Sequence, residues 1–405
     1  MTARDILGFA GRPPDRHLDA CLNHRHVGAR CRACETSCPT AAITIPDGIS
    51  PILDPDSCVG CGSCVAACPT EAFSAGWTSV GSLERTAAAV TGGVHLTCSF
   101  NRGAGVPEGS TPVEIDRCLA AVDTSTLVIL SVGGSRRVTL DTSACAECPI
   151  GGLVASVAQA SNAANLILSA ADLEATVALV EDPGGSLVRS RRLSESDLSR
   201  RDLFGVLGTA RHPDDSAHRP DGLPTLPRSV PSRRRRLIRR LSTWELPTDA
   251  DLATTITGFG RVDVYDERCS LCGLCAGFCP TNALIQIERH PGQVALGFTP
   301  AQCLDCRICL VACPDDAIRL GPTVSLVQVA EATTHVLIED VSGPCIDCGL
   351  PTRLRPSDRE HRCHSCRHGS GPVDALRDRA GLMADLLSRL PDAAGTSPPE
   401  EAGDG

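Results

Sequence analysis

The sequence contains no lysine; all 38 basic residues are arginine. That excludes a P-loop, whose lysine reaches the nucleotide phosphates. Aromatics are scarce at 2% (seven Phe, two Trp, one Tyr), which leaves little for stacking nucleic-acid bases. Positive charge is also outnumbered, giving a net charge of −10, so the chain is a poor non-specific binder of nucleic acid or anionic membrane. No run approaches the ~20 apolar residues of a membrane span. Met1 to His17 carries Arg4, Asp5, Arg12, Asp15 and Arg16 and lacks the apolar core of a signal peptide. The expectation is a cytoplasmic chain with reduced thiols. No G-x-G-x-x-G follows a strand, and no Ser/His/Asp pattern marks a hydrolase. A length of 405 residues allows two or three domains.

Cysteine is what the chain has in excess: 24 residues, far more than a cytosolic enzyme uses, so metal ligation is favoured over disulfides. Cys58, Cys61, Cys64 and Cys68 read C-x2-C-x2-C-x3-C, followed by Pro69. Cys269, Cys272, Cys275 and Cys279 repeat it before Pro280, and Cys303, Cys306, Cys309 and Cys313 before Pro314. Cys31, Cys34 and Cys38, before Pro39, form a fourth copy that lacks its first cysteine, with Gly28 at that position. Each proline starts a similar phrase, from Pro39-Thr-Ala-Ala-Ile43 to Pro314-Asp-Asp-Ala-Ile318. Between paired copies, residues 41–53 and 284–296 read as strand, turn, strand.

This pattern resembles the bacterial two-cluster 4Fe–4S ferredoxins, in tandem as in a polyferredoxin. The resemblance implies that the first three cysteines of one copy share a cube with the last cysteine of its partner. It thus assigns Cys269, Cys272, Cys275 and Cys313 to one cube, and Cys303, Cys306, Cys309 and Cys279 to a second. Cys58, Cys61, Cys64 and Cys38 make a third. Cys31, Cys34 and Cys68 hold the fourth, with Cys21, His24 or His26 as the last ligand, or an open site. Cys21 is the expected choice because thiolate is the softer ligand.

Residues 90–183 read as a small α/β domain. Val94–Thr97, Thr126–Val132 and Arg137–Leu140 are expected strands; residues 152–168 and 171–180 are expected helices. Cys98, Cys118, Cys145 and Cys148 fall at strand ends or loops, where α/β sheets build sites. Through a strand-end Cys, Cys118-Leu119 and a late cysteine pair, this part resembles the iron–sulfur (delta) subunits of hydrogenase and disulfide-reductase complexes. One metal centre, a Cys145–Cys148 redox dithiol and unligated thiols are the alternatives.

Residues 184–245 read as a linker whose arginine block, Arg233–Arg236 with Arg239 and Arg240, is a solvated turn, a docking site for an acidic partner, or a strap across a ferredoxin face. Cys345, Cys348, Cys363 and Cys366 read C-x2-C-x14-C-x2-C and resemble a zinc ribbon over 343–369, with rubredoxin-type iron as the alternative. His361, His364 and His368 are expected to be bystanders. A helix over 372–390 and a disordered tail over 391–405 complete the chain.

The expected fold is α+β: two ferredoxin-like dicluster domains (18–78 and 250–322) flanking a small α/β domain, with a C-terminal zinc ribbon. The expected function is electron transfer through four 4Fe–4S clusters, with zinc and one possible further centre, to or from a partner oxidoreductase or hydrogenase-type complex. Nucleic acid is not an expected partner. The alternatives are a thiol/disulfide or small-molecule reductase built on the Cys98/Cys118/Cys145/Cys148 centre, and an iron–sulfur assembly or regulatory protein.

Overall fold

The computed structural model describes residues 13–74, 92–101, 105–132, 137–182, 191–192, 228–355 and 360–367, with isolated positions at 7, 9, 83, 89 and 90. The expected helix over 372–390, the tail and most of the linker, 193–227, lie outside the described residues.

Two units share one topology. In the front unit, Asp15–Arg16 pairs antiparallel with Phe73–Ser74, and Ile43–Thr44 pairs with Ile52–Leu53. Short helices at Ala33–Thr36 and Ser63–Ala67 follow the cysteine loops. In the rear unit, Arg261–Val264 pairs with Ile318–Gly321, Leu284–His290 pairs with Gln293–Phe298, and the helices are Leu274–Phe278 and Ile308–Ala312. The repeated phrase has a backbone reason. The third residue after each fourth-position cysteine, Ala41, Glu71, Asn282 and Asp316, takes a left-handed φ of 48–59°. That turn sends the chain off the cysteine loop and into a strand.

The middle domain is a five-stranded parallel sheet. Its strands are β1 (Gly93–Cys98), β2 (Ser110–Ile115), β3 (Arg137–Asp141), β4 (Thr176–Val180) and β5 (Arg191–Arg192), in the order β4-β3-β1-β2-β5. Two expectations are corrected. Thr126–Val132 is not a strand but lies in helix α1 (Thr124–Val132). Asp123 accepts hydrogen bonds from Thr126 N and Oγ1 and starts the helix, and both its faces are buried, which removes the periodic signal. Residues 171–180 are not a helix: Asp172 turns left-handed at φ 53°, and β4 follows. Strand β2 was not foreseen, since Pro112 lies within it.

Helix α2 (Val154–Ala170) covers this sheet. The stretch Gly151–Ala170 is, among the described residues, the one helix long and apolar enough to cross a membrane, contrary to the expectation that no run comes near. Its Val157, Ala164, Ile167 and Leu168 are buried in the domain core.

The arginine block is not a solvated turn in a linker. Ser232–Leu241 forms helix α3, which buries Leu237 and Leu241 in the main core. It is strapped to the front unit. Glu71 accepts from the backbone N–H of Ser232 and of Arg233 at 2.9 Å each, capping the helix, and Arg233 Nη1 donates to Val65 O at 2.8 Å while Nη2 donates to Cys68 O. Arg240 donates to Val132 O on the middle domain. Hydrogen bonds from a charged donor contribute about 1.5–3 kcal/mol each, so Arg233→Ala should release this end of the strap. Amide hydrogen exchange is expected to accelerate across 232–241 and at 65–71; unchanged exchange there would show that the apolar face alone holds α3.

The rear hairpin continues beyond residue 322. His335–Pro344 adds to it through Gln293–Phe298, and Pro351–Arg353 pairs with His335–Pro344. The paired cysteines of 345–366 therefore grow from the rear sheet rather than forming a separate body.

Candidate metal centres

In the rear unit, Cys269, Cys272, Cys275 and Cys313 line one cavity of about 20 Å³, and Cys279, Cys303, Cys306 and Cys309 line another of about 20 Å³. Each quartet joins three cysteines of one loop to the fourth of the other. Local backbone explains the grip. Leu271 and Gly273, and likewise Asp305 and Arg307, take left-handed φ values that coil the loop around the cavity. Gly260 is the closest neighbour of one site: a Cβ there would meet Cys303 Sγ at 2.5 Å. Backbone N–H groups of Leu284 and Ala317 point at Cys279 Sγ and Cys313 Sγ at 3.4 and 3.3 Å.

Burial, then the neighbouring thiols, pushes the Cys269 thiol up to about 11 and raises those of Cys275 and Cys309. Four thiolates gathered out of water repel one another, and an inserted cation cluster offsets that repulsion.

The front unit repeats this. Cys38, Cys58, Cys61 and Cys64 line a cavity of about 20 Å³. Cys21, Cys31, Cys34 and Cys68 lie within one another's electrostatic reach; burial, then Cys68, Cys31 and Cys21, pushes the Cys34 thiol up to about 12. Cys21 is buried beside Cys68. Its turn is pinned by the buried Asn23, whose Oδ1 accepts Cys31 N–H at 2.7 Å and whose Nδ2 donates to Cys31 O at 2.9 Å. The two histidines are engaged elsewhere. His24 Nε2 meets Ser50 Oγ; His26 Nδ1 accepts Gly28 N–H, and its ring sits edge-on to Phe278 with centroids 4.7 Å apart.

The middle quartet follows the carboxyl ends of three adjacent parallel strands. Cys98 ends β1, Cys118 follows β2, and Cys145 and Cys148 form a turn after β3. All four line a cavity of about 20 Å³ with Phe9, Phe100 and Leu153. Burial, then the neighbouring thiols Cys98 and Cys148, pushes Cys145 up to about 11.

The last quartet differs in scale. The Sγ atoms of Cys345, Cys348, Cys363 and Cys366 all lie within 4.8 Å of one another, and Cys348 and Cys363 are 3.6 Å apart. Thiolates ~2.3 Å from one tetrahedral ion stand ~3.8 Å apart, so this group fits a single metal ion. Among the described residues no other cysteine group is this tight, which separates it from the five wider quartets. Burial raises the Cys345 thiol, but N–H groups of Cys363, Cys348 and Asp347 prevail and hold it down at about 6. His364 pairs with Asp315 next to the rear quartet, so it joins the knuckle to the rear unit; His368 lies outside the described residues.

The family pattern described as "4Fe-4S dicluster domain" matches residues 29–72, and that of "4Fe-4S binding domain" matches residues 262–285. The chain carries two ferredoxin-type 4Fe–4S domains. The ferredoxin-type protein NapF of Escherichia coli K12 is 41% identical over 61 residues, 14% of this chain and 36% of its own length. The pyruvate synthase subunit PorD of Thermotoga maritima is 34% identical over 62 residues, 15% of this chain and 59% of its own length. The chain thus spans between about a third and three-fifths of these ferredoxin relatives. The middle domain and the ribbon-like quartet lie outside the two matched stretches.

Sequence reasoning missed three residues at the ferredoxin sites. Asn23 had no signal beyond its place two residues after Cys21. Arg25 and Arg117 are isolated arginines in sequence, yet both are buried against cysteine quartets.

Proposed function

We propose that the chain is a polyferredoxin that passes single electrons through four 4Fe–4S clusters to or from a partner oxidoreductase. The observation that carries this reading is the continuity of the quartets. Cys64 lies within reach of Cys38 in its own quartet and of Cys34 in the next. Across the two halves, Leu22, Ile308 and Ala312 form one apolar cluster against which Cys31, Cys306 and Phe278 pack. In the rear half, Cys309 faces Cys275 of the neighbouring quartet. Electron tunnelling fades steeply with distance, so packed sites form a wire. The PorD name, a subunit of pyruvate synthase, supports a redox enzyme as partner.

The middle quartet extends this wire, since Cys118 lies within the field of Cys61. All four of its cysteines line one cavity, as in the ferredoxin quartets, which favours one shared centre over a two-cysteine dithiol. The tight C-terminal quartet holds zinc in this reading and serves as a structural clasp.

Coulometric reduction of the anaerobic protein tests the whole. Uptake of about four low-potential electrons is expected from one-electron cubes, with a further electron from the middle quartet. Changing Cys145 and Cys148 to Ser should remove that further electron and its spectroscopic signal alone. Uptake of about two electrons in all would overturn the four-cluster reading. Retention of the signal in the double variant would overturn the middle centre.

A further inference from the structure

Three arginines are buried among the described residues: Arg25, Arg117 and Arg234, 2–8% exposed. A guanidinium withdrawn from water demands compensating negative charge. All three lie against cysteine quartets. Arg117 Nη1 donates to Gly60 O at 2.8 Å, inside the loop between Cys58 and Cys61. Arg234, from the strap helix α3, stacks 3.6 Å over the Phe259 ring, donates to Gly258 O and lies in the field of Cys303. Its Nη1 is buried with no hydrogen-bond partner. Arg25, from the front unit's helix Leu22–Arg25, lies in the field of Cys279 and Cys306 of the rear unit. One quartet, Cys279/Cys303/Cys306/Cys309, therefore faces two buried cations, neither supplied by its own ferredoxin half. Each rear quartet also has a carboxylate in its field, Asp305 at Cys306 and Asp315 at Cys269 and Cys272. The second quartet, however, is met by the half-buried Arg355, which donates to Cys269 O at 2.9 Å, and by none of the three buried arginines.

We propose that Arg25 and Arg234 make the cluster at Cys279/Cys303/Cys306/Cys309 the high-potential member of the rear pair, so that electrons settle at the seam between the two halves. This deepens the four-cluster reading and rests on it. A cube with four thiolates becomes more negative on reduction, so a fixed positive charge stabilises the reduced form more than the oxidised one. The effect is strong where water is excluded. Arginine suits the task because it stays charged: burial pulls Arg234 down to about 10, still above neutrality. By the same logic Arg117 raises the potential of the cluster at Cys38/Cys58/Cys61/Cys64.

The test is a redox titration of the full-length protein followed by electron paramagnetic resonance, with iron counted in every sample. Arg234→Gln and Arg25→Gln should each lower the midpoint of one and the same cluster by a tenfold change in its redox equilibrium or more, ~59 mV for one electron. Arg117→Gln should lower a different one. Arg235→Gln, an exposed change on the same helix, should move none. Arg234→Lys and Arg25→Lys keep the charge and should keep the midpoint near the parent value. If Arg234→Gln loses iron, Arg25→Gln, which changes another element, decides; if both lose iron, lysine variants that hold the clusters but shift as far as loss of charge would overturn the proposal. Full iron with unmoved midpoints in both Gln variants would also overturn it. A low iron count in the parent protein would instead overturn the four-cluster reading.

Discussion

Purified without oxygen, the full chain is expected to carry about sixteen irons from its ferredoxin halves, more with the middle quartet filled, and about one zinc. The difference between the two metals follows from sulfur spacing. Four sulfurs within 4.8 Å of one another enclose one ion, whereas the other quartets are not gathered that tightly. Cys363→Ser should abolish zinc binding and leave the iron count intact, because that thiol belongs to the tight group alone. Loss of a structural zinc removes folding energy outright, so protease should then cut the chain between 345 and 367. About eight irons would mean that one ferredoxin half is empty. Iron in the tight site in place of zinc would identify it as rubredoxin-like.

Cys21→Ser should lose or convert one cluster and leave the rest. The front unit lacks a cysteine at position 28, and its loop still makes the left-handed turn two residues later, at Arg30 with φ 45°. The turn survives without its ligand, and Cys21 reaches the same quartet from a separate turn held by Asn23. Serine is a hard, weak ligand for such a cube, so a three-iron signal or a deficit of about four irons is the expected result. Asn23→Ala should give a milder version, a cluster lost faster in air, because the turn loses its two bonds to Cys31. A full complement in Cys21→Ser, with loss in His24→Ala or His26→Ala, would transfer the role to a histidine.

The parts legible in sequence were those with a repeated cause. C-x2-C-x2-C-x3-C-P fixes a loop, a short helix and a turn, and the same order recurs in both units. The Thr two residues after three of the fourth-position cysteines is part of that cause: Thr40, Thr70 and Thr281 hydroxyls lie 3.7–3.8 Å from Cys38, Cys68 and Cys279 Sγ. What failed had two physical reasons. Thr126–Val132 is apolar on every side, and a buried helix of that length looks like a buried strand. Arg234 reads as one of a charged run, but it points inward while Arg235 is exposed. Composition cannot tell which face of a short basic helix meets the protein. The buried Arg25 and Arg117 are placed by contacts between units, for which a single sequence carries no local signal.

The strap joins residues far apart in the chain: Arg233 and Cys68 O are separated by 165 positions. At a synthesis rate of ~5–20 residues per second, the front half waits roughly ten to thirty seconds for α3 after Cys68 is made. During that interval the carbonyls of Val65 and Cys68, and the Glu71 carboxylate, are open to water and to any protein that delivers iron and sulfide. Once α3 arrives those carbonyls and the Glu71 carboxylate are bonded, so the finished packing of the front unit depends on a helix made 165 positions after Cys68.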